Sequence, residues 1–336
     1  MATVARPPGH APGAPAAPAA PAGPAAREAP PLPGGPSRLA RRENLAGWLW
    51  TSPWILGFLL WTLGPMVWSL YLAFTKYNIS QPAEWIGLTN FVNALSGADS
   101  LFWPSLARTF VWALVMVPLS LAGSLLSALL LNQHLKGTAL FRTLFFLPSL
   151  TPAVAAAILW RFLFQPDFGP INYLLRSLGV GSPPLWFSDA RWAMPSLMVM
   201  TLWAAVGGGT MLIFLAGLQG VPQELHEAAS IDGAGRWARF RNVTLPMITP
   251  TLFFNLVIGI IAALRTFTTA FVATNGGPNY ATWFYILHLY QTAFQNFDFG
   301  YASALAWIFF VIVISLTLLN NRLSRRWVYY EGETRP

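Results

Sequence analysis

The chain has 336 residues, of which 55% are hydrophobic and only 10% charged, and its mean hydropathy is +0.50. Soluble domains carry roughly 25% charged residues, so this composition excludes an ordinary soluble enzyme and points to a membrane protein. The net charge of +8 does not make it a nucleic-acid binder, because its basic residues stand at the ends of apolar blocks and form no basic face. Cysteine is absent, which excludes a disulfide framework and a thiolate metal site, and His10, His134, His226 and His288 lack metal-ligand spacing.

Residues 1–44 are rich in Pro, Ala and Gly, with Arg6, Arg27, Arg38, Arg41 and Arg42 among them. Such a stretch cannot bury a core and reads as a disordered tail, either a dispensable extension or a Pro-rich partner segment. No continuous apolar run follows its start, so it is not read as a secretory signal. A first apolar block covers 48–74, longer than the ~20 residues a bilayer crossing needs. Pro53 and Pro65 should kink it, and Trp48, Trp50 and Trp54 gather at one end, where indole rings favour the headgroup level. From Lys76 to Pro104 the chain turns polar.

A second span is predicted over 109–131, with Pro118 inside. The short turn at His134-Leu135-Lys136-Gly137 makes it an antiparallel neighbour of a third span over 139–164, which carries Pro148 and Pro152. Residues 165–191 then read as an external loop with one short surface helix around 171–178. The fourth span, 194–218, contains Gly207-Gly208-Gly209. That triplet allows close helix packing or a local unwinding beside a cavity, and packing is preferred.

The longest polar passage follows, at 220–246. Pro222 suits the first position of a helix, Glu224 and Glu227 place negative charge near its positive end, and Asp232-Gly233 ends it through a left-handed glycine. Arg236, Arg239 and Arg241 lie on a second short helix that should finish before Pro246. Ala228 and Ala229 have almost no side chain and admit a partner's backbone. The passage is a helix-turn-helix with a flat face and charged edges.

Glu227-Ala228-Ala229, Gly233, Val243 and Leu245-Pro246 keep the spacing of the EAA loop and resemble the permeases of bacterial ABC importers, with Val243 where isoleucine is usual. Beyond a fifth span over 248–272 and a sixth over 301–319, further runs are similar to the carbohydrate-uptake branch, of maltose and glycerol-3-phosphate type. They are Arg265-Thr266-Phe267, Thr274-Asn275-Gly276-Gly277-Pro278, and Phe297-Asp298-Phe299-Gly300-Tyr301-Ala302-Ser303-Ala304. Trp85-Ile86-Gly87-Leu88-Thr89-Asn90-Phe91 adds to this likeness. One departure is Thr268-Thr269, where an aspartate is common.

The resemblance implies an all-α polytopic membrane protein with six transmembrane helices, in the type I architecture of binding-protein-dependent importers. It leaves the tail over 1–44, read from composition as disordered and cytoplasmic, outside, and it implies a permease domain over 45–325 holding the coupling loop 220–246 and a cytoplasmic C-terminal tail over 326–336. It also implies the partners: a second permease subunit in a heterodimer, two ATPase copies and an extracellular solute-binding protein, in contact with membrane lipid. No nucleic acid is involved. Glu227, Ala228, Ala229, Asp232, Gly233, Leu245 and Pro246 would then contact the ATPase. The solute expected is a sugar or a related polyol or glycerophosphate.

The residues themselves add three points. No P-loop Gly-x-x-x-x-Gly-Lys-Ser/Thr pattern occurs, so ATP is bound by partner subunits only and the chain is no enzyme. With six spans, the basic residues of the tail, the 133–142 turn, the EAA loop and the C-terminal end share one side, fourteen in all, against Lys76, Arg108, Arg161, Arg176 and Arg191 on the other. The positive-inside rule puts both termini and the loop in the cytoplasm of a bacterial inner-membrane protein. Trp203, Asn255, Arg265, Thr269 and Trp307, polar or large within spans, are the candidates for a solute path, each with ordinary helix packing as the alternative. A secondary transporter or channel not driven by ATP is the alternative function, although a proton-coupled carrier needs intramembrane acids or histidines, which these spans lack.

Overall fold

The computed structural model describes residues 38–133, 136–325 and 327–329. The expected tail up to residue 37 and most of the C-terminal tail lie outside the described residues. The chain divides into two units, residues 1–61 and 62–336. In the first, α1 (Arg38–Phe58) begins inside the stretch assigned to the disordered tail. The physical reason is local: the last proline of the tail is Pro36, and Arg38-Leu39-Ala40-Arg41-Arg42-Glu43 are good helix formers. Trp48, Trp50 and Trp54 are all exposed along it, as suits rings at a lipid–water boundary.

The second unit opens with α2 (Gly64–Ala73), reached through a π turn at Leu59–Leu63. It continues as a two-stranded antiparallel hairpin, β1 (Thr75–Asn78) and β2 (Gln81–Trp85), and then α3 (Thr89–Ser96). The hairpin is a small addition that the sequence reading did not foresee, in a fold that is all-α as expected. It is held at a chain reversal, where the Asn78 side chain accepts the Ser80 N–H at 3.1 Å. Asn90 fixes its base, donating to the carbonyls of Ala73 and Thr75 at 3.0 and 2.9 Å.

Six apolar passages follow the expected order. Arg42–Ala73, α4 (Phe102–Leu131) and the last helix are long and apolar enough to cross a membrane as they stand. The other three are bent pairs. The first is α5 (Thr138–Phe146), continued by a 3-10 turn to Leu150, with α6 (Ala153–Leu163), bent by 95°. Pro148 and Pro152 cause this bend, since neither supplies an N–H and Thr151 must be extended before a proline. After α7 (Pro170–Ser177), the surface helix of the 165–191 loop, come α8 (Ala190–Ala205) and α9 (Gly209–Gln219), bent by 47°. The glycine triplet therefore does both things considered for it. The helix unwinds over 206–208, and a Cβ on Gly207 would overlap the carbonyl of Phe145, so the break docks directly onto α5.

The polar passage forms α10 (Gln223–Ile231) and α11 (Arg236–Arg239). A π turn at Phe240–Thr244 leads to α12 (Leu245–Met247), which meets α13 (Thr249–Leu264) at a bend of 65°. This corrects two boundaries. The helical path does not stop before Pro246, because the π turn resets the register and leaves Pro246 in a new first turn, where an N–H would have no partner. The fifth span ends at Leu264 and not at residue 272: Arg265–Phe267 break the helix before α14 (Thr268–Ala273). Then come α15 (Tyr285–Tyr290) and α16 (Phe299–Ser324), the last span.

The segment 284–295 is wedged between α4 and α16. Phe284 packs against Trp112 at 5.2 Å between ring centres, and Tyr285 stacks on Phe309 at 4.8 Å. The Tyr285 N–H donates to Thr109 at 2.9 Å and its hydroxyl to the Leu305 carbonyl at 2.8 Å. Nearby, the carboxylate of Asp99 accepts from Tyr301 at 2.8 Å and the Leu101 N–H at 2.9 Å, and pairs with His288 at 2.7 Å. Burial pushes the Asp99 pKa up, but the hydrogen bonds from Tyr301 and Leu101 and the facing His288 outweigh it and hold the carboxyl below its usual range. Stability from this group is therefore present above the ordinary carboxylate pKa and is lost as pH falls through the depressed one. Asp99→Ala removes the carboxylate that Tyr301, the Leu101 N–H and His288 share and should cost about 2 kcal/mol, read as a lower melting temperature of the detergent-solubilised protein at neutral pH.

Candidate functional site

Two features stand out as machinery: the polar hairpin and a cavity among the helix breaks. In the hairpin, Pro222 is the N-cap and not the first helical residue, with φ −58° and ψ 130°, one position before the sequence expectation. Glu224 occupies the first turn. The far end closes by paired bonds: the Gly233 N–H reaches the Ser230 carbonyl at 3.1 Å, and the Ala234 N–H reaches back to Ala229 at 2.9 Å. This is the six-to-one and five-to-two pattern of a left-handed helix stop. Gly233 adopts φ +80°, and a Cβ there would meet nothing within 4 Å. The demand for glycine is thus conformational, and the position faces open space. The hairpin also exposes large apolar side chains, Leu225 at 42%, Trp237 at 71% and Ile231 at 87%. Glu227 and Ala228 are exposed beside them, Ala229 is half-buried, and Asp232 is the helix cap; Leu245 and Pro246 lie half-buried at the root.

The cavity encloses about 310 Å³ between α4, the α5–α6 bend, the α8–α9 break and the end of α13. Ser120, Ser149, Thr201, Thr210 and Thr266 supply its hydroxyls, and Trp112 one wall. No ionisable side chain lines it. The Thr201 hydroxyl is buried without a partner among the described residues. Hydroxyls that both donate and accept, beside an aromatic face, suit a solute that carries hydroxyl groups on an apolar ring. A second cavity of about 430 Å³ is lined by Arg161, Gln165, Ser188, Thr274 and Asn275. Among the described residues no group of three His, Asp or Glu could hold a metal ion.

The five path candidates from the sequence are not gathered in one place. Trp203 lines an apolar groove with Leu144 and Trp160, whose ring it meets edge-on at 5.9 Å. Trp307 lines another apolar groove and donates to Ser69 at 3.2 Å. Asn255 is buried on α13, its amide nitrogen without a partner among the described residues. Thr269 is half-buried on α14, and Arg265 is exposed at the C-cap of α13, one residue from the cavity-lining Thr266. The cavity hydroxyls went unremarked in the sequence reading. Their signal was weak, since serine and threonine are common in apolar spans and only the helix breaks single these out.

Six apolar passages, three of them broken, with a polar helical hairpin between the fourth and fifth, define a polytopic transport subunit. The chain belongs to the family described as the binding-protein-dependent transport system inner membrane component, which matches residues 120–329. It is 46% identical over 300 residues to a probable ABC transporter permease protein, YesP, of Bacillus subtilis, covering 88% of this chain and 96% of that one. It is 33% identical to the trehalose/maltose transport system permease protein MalF of Thermococcus litoralis, covering 86% of this chain and 97% of that one. Its fold matches a bacterial ABC transporter involved in the import of the acidic polysaccharide alginate, with a TM-score of 0.76 at 24% identity over 86% of this chain and 99% of that one. The protein is a multi-pass inner-membrane permease subunit of a multi-subunit ABC importer, and membership in this family sets aside the carrier not driven by ATP.

Arg265 makes no ion pair among the described residues, and a guanidinium facing lipid would cost ~2.5–3.5 kcal/mol on insertion scales. Its place beside Thr266 sets it one residue from the cavity lining. Arg265→Leu should lower solute uptake at unchanged expression; undiminished uptake would leave it a structural, snorkelling arginine.

Proposed function

We propose that this subunit forms half of the path for a saccharide and takes its driving motion from two ATPase copies through the hairpin 220–246. A second, sister permease subunit completes the path, and an extracellular solute-binding protein delivers the solute. The observation that carries the coupling reading is the hairpin itself, an exposed pair of helices presenting Leu225, Ile231 and Trp237 around small Ala228 and Ala229. Apolar residues in that position need a partner surface. Glu227 and Asp232 give the contact a charged edge, Gly233 sets its turn, and Leu245 and Pro246 root it at the bend into α13. The saccharide reading rests on the hydroxyl-lined cavity, together with the trehalose/maltose system of the Thermococcus litoralis relative. Trp203, Asn255, Arg265, Thr269 and Trp307 remain proposed contributors to the path or its subunit contacts.

The basic residues at the hairpin and both chain ends support a cytoplasmic location for the termini and the loop. Because the chain has no cysteine, Ser182→Cys and Asn279→Cys should react with an impermeant thiol reagent applied to intact cells, while Ser230→Cys should not. The reverse pattern would invert the orientation.

The coupling reading is tested by Gly233→Asp. A residue with a Cβ at φ +80° is strained by roughly 1 kcal/mol or more, and the added carboxylate projects toward the partner. The variant should insert and assemble with its sister subunit, yet lose uptake and co-purify poorly with the ATPases; Glu227→Ala should do so more mildly. Wild-type ATPase binding together with wild-type transport in Gly233→Asp would remove the loop from the mechanism.

A further inference from the structure

The bend between α12 and α13 is where the proposed coupling hairpin joins a membrane span, and its chemistry is unusual. In a continuous helix the carbonyl of Pro246 would accept the N–H of residue 250, but residue 250 is also a proline and has none. The hydroxyl of Thr249 takes that place and donates to the Pro246 carbonyl at 2.6 Å. The same oxygen accepts the N–H of Tyr329 at 2.9 Å. One buried hydroxyl therefore joins the root of the hairpin to the C-terminal segment of the chain.

That segment is brought there by the end of α16. The Ser324 carbonyl accepts two N–H groups, from Trp327 at 3.0 Å and Val328 at 2.9 Å, which turns the chain back toward α13. Val328 is buried at 6% exposure, and the Trp327 ring stands edge-on to Phe253, one turn into α13, at 6.2 Å and 78°. Residues 327–329 thus lie across the bend as a short strap fastened to α16 at one end and to the first turn of α13 at the other.

We infer that this strap, fastened through Thr249, fixes the angle between α12 and α13, so that movement of the hairpin is delivered to α13 and α16 together instead of being absorbed at the bend. The argument is mechanical. A helix interrupted by two prolines four residues apart has lost the bond that would resist bending there; Thr249 replaces it locally, and the strap braces that hydroxyl from another span. Thr249 is a positioning residue in this scheme: it touches neither solute nor ATPase. The inference rests on the hairpin being the ATPase contact, and the test separates the two.

The cysteine-free chain permits a readout that needs no knowledge of the solute. In the complete transporter reconstituted in liposomes, Thr266→Cys reports on the cavity through its rate of reaction with a water-soluble maleimide, compared with and without ATP and vanadate. We expect the trapped state to change that rate. Thr249→Val should shrink the change about fivefold, the factor that one buried hydrogen bond is worth in an equilibrium, and so should ending the chain after Arg326. Thr249→Ser should retain it, and the ATPases should co-purify with every variant. A full ATP-dependent change in both Thr249→Val and the shortened chain overturns the inference. So does loss of the ATPases from Thr249→Val, which would make the strap a support for docking and not a transmitter. An unresponsive Thr266→Cys in the parent, with ATPases still bound by Gly233→Asp, would instead bring down the coupling reading and the strap with it.

Discussion

A helix broken within an apolar slab frees backbone carbonyls that water cannot reach, and each costs free energy unless something in the protein donates to it. That constraint governs this fold, because three of its six passages are bent by 47° to 95°. A hydroxyl stands at each bend. Ser149 donates to the Phe146 carbonyl at 2.7 Å in the third passage, and Ser124 of α4 to Ala205 at 3.2 Å in the fourth. Thr249 donates to Pro246 at 2.6 Å in the fifth. Two donors are local and one comes from a neighbouring helix, so the broken passages are closed partly by themselves and partly by their packing.

The same breaks create the space between the helices. Where α8 unwinds, Gly207 lets the chain press against Phe145, while Gly208 and Gly209 face the cavity with Ser149 and Thr201. A continuous helix would fill that volume with its own side chains. At the other end of the fifth passage, the bend at Ile248 turns the chain from the hairpin into the span. Breaking a helix is thus used twice, once to open a hydroxyl-lined cavity and once to join a polar lever to an apolar rod.

Much of this was legible in the sequence. Apolar length fixed the six passages, whereas the bends at Pro148, Pro152 and Gly207 come from prolines and glycines whose local backbone effect the sequence reading noted without drawing a bend from it. Gly233 announced a left-handed helix stop, and the structure has it. What failed was less local. Pro246 looked like a terminator, yet a π turn carried the helix through it, an adjustment with no composition signature. The hairpin at 75–85 has little alternation and depends on Asn90, seventeen positions beyond Ala73, for its closure. The path candidates were chosen for size and polarity within spans, but whether a side chain faces lipid, core or cavity depends on how helices rotate against each other, which single-span patterns do not encode.

The distribution of charge bears on what the cavity can accept. Its lining offers hydroxyls and an indole but no ionisable group, whereas Arg161 lines the second cavity and Arg265 stands at a helix end. Moving a bare anion into surroundings of low dielectric costs several kcal/mol even after relaxation, so a cavity with this lining favours a neutral, polyhydroxylated occupant over an anion. Thr201, whose hydroxyl is buried without a partner among the described residues, adds a donor and an acceptor to that lining. A solute bound by several such weak contacts can also leave easily, which an importer requires as much as it requires recognition.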